Sequence, residues 1–130
     1  MAKHAEASFC PRYHHAIELI GRRWTGVIVR MLLGEPRRFA ELAASIPDLS
    51  DRMLAERLRE LEIEGIVSRT VYAETPVRIE YSLTPMGRAL DASITALGAW
   101  AEEWLPADAG TAKPPISAAV AKRARRVARG

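Results

Sequence analysis

Three arginines and three glutamates crowd the stretch Ser50–Glu62, SDRMLAERLRELE, together with a serine and a methionine at its start. A guanidinium is a planar fork that matches guanine O6 and N7 in bidentate fashion, and a glutamate can accept from cytosine N4. Ser50, at the head of a helix, suits a phosphate oxygen. Ser50, Arg52, Met53, Glu56, Arg57 and Arg59 are therefore the candidate DNA-reading set. Glu56 has a second use, as the i, i+4 partner of Arg52. Arg57 lies nearer the apolar side of the helix, so an internal salt bridge competes with a DNA contact there. A plain solvated face competes for each arginine.

A second group is Cys10, His14 and Glu18, spaced by four residues on one helical face. Cysteine and histidine are zinc ligands, but three ligands along one straight helix span about 12 Å by helix rise, too far for one ion. Neither metal nor catalysis is expected, and no cofactor. A reactive thiol is the stronger reading. Cys10 stands before a helix N-terminus with Lys3, His4, Arg12, His14 and His15 nearby in sequence, all of which favour a thiolate. A buried structural thiol is the alternative.

These residues need elements to hold them. Ser50 is a good N-cap and Asp51 complements the helix dipole. Leu54, Leu58 and Leu61 then form one buried stripe at i, i+4 and i+7. Upstream, Pro11 opens a helix that runs to Gly21, and WTGVIVRMLL makes a second one, closed by Gly34 and Pro36, with Val27, Ile28, Met31 and Leu32 facing inward. Arg37-Arg38-Phe39 reads as a short extended segment, and FAELAASI as a helix burying Phe39, Leu42, Ala43 and Ile46. The linker PDL joins it to the arginine-rich helix, which is a helix-turn-helix pattern. After Gly65, Ile66–Ala73 and Val77–Leu83 are β-rich runs joined by a turn at Glu74-Thr75-Pro76. A hairpin directly after a helix-turn-helix is a wing. Arg78 is its natural backbone or minor-groove contact, and Arg37 and Arg38 suit a phosphate clamp.

Thr84-Pro85 starts one long helix to about Leu105. Its apolar stripe of Met86, Leu90, Ile94, Leu97, Trp100 and Trp104 exceeds what a small domain covers, which predicts a dimer interface. Packing onto the chain's own first helices is the alternative. The expected organisation is a flexible segment over 1–9, a winged helix-turn-helix domain over 10–105 with its dimer helix at 84–105, and a basic Ala/Pro-rich mobile tail over 106–130.

Composition bounds the partners. Of 130 residues, 27% are charged and 48% hydrophobic, as in ordinary globular domains. One cysteine excludes an intrachain disulfide and, with no signal-peptide pattern or bilayer-length apolar run, points to a cytoplasmic protein without a membrane partner. Residues 1–105 carry 13 basic and 15 acidic side chains, while 106–130 carry 6 and 1, so the basic balance belongs to the tail. The tail is either a DNA-neutralising arm or a solvated appendage.

The order of motifs closely resembles the HxlR-type branch of bacterial winged helix-turn-helix regulators, architectural relatives of the MarR regulators. The features are CP before the first helix, IGRRW, GEPRRFAEL, LAERLRELE, RTVY, RIEYSLTPMG and a final helix with tryptophan, across about residues 10–104. The resemblance implies a mainly α fold with a small β-hairpin, N- and C-terminal dimerisation helices, and a homodimeric, non-catalytic regulator of transcription on double-stranded DNA. Several members of that family sense electrophiles or oxidants through a cysteine at the position of Cys10. Residues 105–130 have no counterpart in the family pattern, and Asp51 and Met53 fall where members vary, so the operator sequence does not carry over. A regulator gated by a small molecule, with Trp24, Trp100 and Trp104 lining a pocket at the dimer core, is the alternative.

Overall fold

The computed structural model describes residues 8–110. Lys3 and His4, the tail beyond Gly110, and the helix expected over Ile116–Arg129 lie outside the described residues. The chain divides into two compact units, Met1–Thr95 and Ala96–Gly130, with the boundary inside the last helix.

Among the described residues, six helices and three strands follow in order: α1 (Pro11–Ile20), α2 (Thr25–Gly34), β1 (Arg37–Arg38), α3 (Phe39–Ser45), α4 (Asp51–Ile63), β2 (Val67–Tyr72), β3 (Arg78–Leu83), α5 (Pro85–Arg88) and α6 (Asp91–Trp104). Their ends are set by local chemistry. Ser50 Oγ accepts from the Met53 amide at 3.1 Å and caps α4. Gly65 adopts φ +84°, which an L side chain rarely takes, and turns the chain from α4 into the sheet. The sheet order is β1-β3-β2, antiparallel, with Arg37 opposite Tyr81, Val67 opposite Leu83 and Tyr72 opposite Arg78. The extended segment at Arg37–Arg38 thus becomes a third strand on the hairpin.

The core of the first unit draws Ile28, Val29 and Leu32 from α2, Leu42 from α3, Leu54, Leu58 and Leu61 from α4, and Val67, Tyr81 and Leu83 from the hairpin. The α4 stripe is buried as its spacing predicts. In α2 the buried face is Thr25, Ile28, Val29 and Leu32, so Val29 takes the inward position expected of Val27, which is exposed. Two features lock the base of the wing to the end of α4. The Thr84 hydroxyl donates to the Gly65 carbonyl, and the Thr84 amide to Ile66 O at 3.0 Å. Gly87 packs so closely there that an added Cβ would stand 2.3 Å from Ile66 O.

The single long helix expected from Thr84 to Leu105 is broken just after this packing. The chain forms α5, turns at Ala89-Leu90, and restarts as α6 with Asp91 in its first turn, accepting from the Thr95 hydroxyl at 2.8 Å. The expected interface stripe divides accordingly. Ile94 is only 6% exposed and belongs to the core, and Leu90 packs against it. Both are corrected from partner-facing to intramolecular positions. Met86, Leu97, Trp100 and Trp104 remain exposed.

Candidate nucleic-acid interface

The geometry of α4 sorts its charged side chains. Arg52 is 91% exposed, with Nε 3.7 Å from Glu56, so its guanidinium keeps its fork available. Arg59 is exposed and makes no ion pair among the described residues. Ser50 is occupied as the cap acceptor, which leaves its O–H free to donate to a phosphate. Met53 is half-buried against the core, so it supports the helix more than it reaches outward.

Arg57 requires the largest correction. It points inward, its side chain is 11% exposed, and Nε donates to the Arg23 carbonyl at 2.9 Å while Nη1 reaches Glu60 at 3.1 Å. Nε and Nη1 are both engaged within the protein and the side chain is nearly buried, so it is not a base-reading side chain in this state. The internal salt bridge is the reading that holds.

In the wing, Arg78 is equally engaged. Nη2 donates to Glu74 at 3.0 Å, Nη1 pairs with Glu80, and the guanidinium lies 3.9 Å from the Tyr72 ring centre. The hydrogen bond from Arg78 holds the Glu74 carboxyl below its ordinary pKa, and the same bond raises that of Arg78. A phosphate contact by Arg78 has to compete with two carboxylates. Arg69 on β2 is exposed and makes no ion pair among the described residues. It is a wing cation the sequence reading passed over, although its place in an alternating strand was a usable signal.

Of the two arginines before α3, Arg38 is exposed and donates its backbone N–H to Glu41 at 2.8 Å. Arg37 is half-buried, with Nη2 4.0 Å from Glu35 and a buried Nε that has no hydrogen-bond partner.

Cys10 is exposed and caps α1, its sulfur accepting from the Tyr13 amide at 3.5 Å. That amide, assisted by Arg12, holds the thiol below its ordinary pKa. The buried-thiol alternative is thereby set aside. His14 contacts Phe9 rather than the sulfur, with ring centres 5.4 Å apart, and no group of three His, Cys, Asp or Glu able to hold a metal occurs among the described residues. Trp24 packs against the core of its own unit, with the Arg23 guanidinium 5.4 Å from its ring centre, whereas Trp100 and Trp104 are exposed in the second unit.

Another set was missed. Tyr13 and Ile17 on α1, with Phe9 just before its N-cap, are exposed apolar side chains at four-residue spacing. That spacing is a signal the sequence carries, one residue ahead of Cys10, His14 and Glu18 at each step.

A two-helix motif with an exposed arginine face, followed directly by an antiparallel hairpin, defines a winged helix-turn-helix DNA-binding protein of the transcription-regulator class. The chain belongs to the HxlR-like helix-turn-helix family, which it matches over residues 19–109. It is 48% identical to the HTH-type transcriptional regulator YvaP of Bacillus subtilis, over 77% of this chain and 93% of that one. Identity to YodB of the same organism is 45%, over 75% and 87%. The reduced form of YodB superimposes with a TM-score of 0.69, covering 75% of this chain and 96% of the YodB chain. The oxidised form of the redox regulator HypR gives 0.68 at 37% identity, covering 72% and 96%. No helix among the described residues is long and apolar enough to cross a membrane.

Proposed function

We propose that this regulator acts in the cytoplasm as a homodimer on a palindromic operator, and that oxidants or electrophiles switch it through Cys10. The observation that carries the switch is the exposed Cys10 sulfur at the head of α1, its thiolate favoured by the Tyr13 amide. The solved forms of relatives support it, since YodB is described as reduced, diamide-treated and quinone-bound, and HypR as reduced and oxidised.

Two reactions are open to the thiol. A quinone-type acceptor takes the sulfur lone pair at its C=C bond, forming S–C, and a proton from solvent completes the addition. Alternatively, the Cys10 thiols of two subunits lose two protons and two electrons to a diazene such as diamide, which becomes the hydrazine, and one S–S bond forms between subunits. With one cysteine per chain, any disulfide is either between subunits or a mixed disulfide with a small thiol.

Dimerisation is supported by exposed apolar side chains on and just before α1 (Phe9, Tyr13, Ile17) and on α6 (Leu97, Trp100, Trp104). On DNA, Arg52 and Arg59 read base edges, with Glu56 alongside. Ser50 and Arg38 contact phosphates, and the wing follows the groove with Arg69 and with whatever share of Arg78 its carboxylates release.

Gel shifts with a duplex from upstream of the chain's own coding region, with and without diamide, test the reading. Oxidant is expected to weaken binding by wild type and leave Cys10→Ser unaffected. Equal sensitivity of both proteins removes Cys10 as the sensor.

A further inference from the structure

α1 is attached to its unit in an unusual way. None of its residues is buried, and only Leu19 and Ile20, in its last turn, pack partly against the core. The rest of the helix stands across a cleft of about 580 Å³ from the C-terminal half of α4, whose wall includes His15, Arg22, Glu60 and Glu64. Its joint to α2 is residues 21–24. Gly21 closes α1, and an added Cβ there would meet Ile17 O at 2.7 Å. Trp24 sits at φ +74°, a left-handed conformation that a tryptophan rarely adopts. The joint therefore has a defined, strained shape rather than a slack one.

Polar contacts connect this joint and helix to α4. Arg57 Nε donates to the carbonyl of Arg23, a residue of the joint itself, at 2.9 Å. Arg57 Nη1 holds Glu60 at 3.1 Å, and Glu60 in turn lies 3.5 Å from Arg22, also in the joint. Farther along, His15 Nε2 lies 3.1 Å from Glu64, just past the end of α4. The exposed pairs in this set contribute little to folding on their own. Arg57 differs, because a nearly buried guanidinium is costly to leave unpaired and so moves with its partners. Arg52, Glu56 and Arg59 project from the same helix within two turns of it.

We propose that Arg57 is a positioning residue that ties the setting of the DNA-reading helix to the α1–α2 joint, so that displacement of α1 is felt at the DNA-facing side chains. The Cys10 switch supplies the input at the far end of α1, and to that extent the inference rests on the reading above. The coupling itself does not need the thiol, since linkage between two sites is reciprocal.

The full chain is used for the test, with the duplex named above as probe. Hydrogen exchange is followed across residues 11–24 with and without DNA. In wild type, DNA slows exchange there. In a folded Arg57→Met variant that still binds the duplex, the slowing is lost, and Glu60→Gln loses part of it. Identical slowing in wild type and Arg57→Met overturns the proposal. So does a folded Arg57→Met protein that no longer binds DNA, because Arg57 then belongs to the reading surface. If Arg57→Met does not fold, Glu60→Gln decides, and unchanged slowing in it counts against the coupling.

A second arm labels Cys10 with N-ethylmaleimide, the sulfur adding across the C=C bond and water supplying the proton. Labelling is expected to weaken DNA binding by wild type about 10-fold and by Arg57→Met less than about 2-fold, within the usual range of coupling between sites. Equal weakening in both overturns the coupling. No weakening in wild type, with the exchange difference present, removes the thiol reading and leaves the coupling standing.

Discussion

α1 and α4 begin alike and end up in different roles. Each opens with a cap side chain accepting the amide three residues on, Cys10 from Tyr13 and Ser50 from Met53, and each carries an apolar side. Yet α4 buries Leu54, Arg57, Leu58 and Leu61, whereas α1 buries nothing. A helix held along its whole length by a core presents its opposite face in a fixed setting, as DNA reading requires. A helix held at one end, with Tyr13, Ile17 and the preceding Phe9 exposed, is suited to packing on a second surface and to moving with it. The difference lies in what surrounds each helix, not in its own propensity.

The largest expected effect breaks the comparison at the core. Leu58→Ala, at a fully packed site, should destabilise the fold by about 2–5 kcal/mol, while Ile17→Ala should leave the stability of an isolated subunit within about 0.5 kcal/mol. Urea unfolding of both variants, kept dilute enough to favour monomer, checks it. Comparable losses would mean that α1 is part of the core after all.

Next comes the outer surface. Leu97→Asp places a charge on the exposed stripe of α6, and Ile17→Asp does so on α1. A carboxylate buried against a partner without a counter-charge is expensive, so sedimentation should show folded monomer for each. A stable dimer in both variants would rule out these stripes as the interface.

A smaller effect sharpens the division of labour within α4. Arg52→Ala should lower discrimination between operator and random DNA by about 1–3 kcal/mol without changing stability. An unchanged ratio of affinities would remove Arg52 from the reading face.

The smallest effects concern the two caps. Ser50→Ala should cost about 1 kcal/mol of stability, and Cys10→Ala less, because sulfur is a weak acceptor on a helix that carries no core. Instead Cys10 should show itself in reactivity. Its pKa is lowered, so the thiolate fraction, and with it the maleimide rate, should level off at lower pH than for an ordinary thiol. A rate that keeps climbing to the usual thiol range would show that the cap does not activate it.

The helix-turn-helix, the wing and the α4 stripe were legible because each depends on neighbours within a few residues. Caps act over three residues, helical stripes repeat over three or four, and turns are set by glycine and proline. The family resemblance drew on the same local strings. The exposed apolar side of α1 is equally local, but its spacing alone does not say whether a core or solvent meets it.

What only the tertiary structure decided are the features that depend on distant partners. Arg57 turned inward because the carbonyl of Arg23, 34 residues away, stands where its Nε can reach. His15 meets Glu64 across 49 residues. Gly87 fits closely against Ile66 O, an approach absent from any helical periodicity, and the final helix breaks just after it. Arg78 is tied up because the hairpin brings Glu74 and Glu80 to its two sides. A sequence pattern states which side chains share a face. Which charge finds which partner is settled only when the core brings remote segments within hydrogen-bonding distance, since the cost of burying an unpaired charge is met by whatever group arrives there.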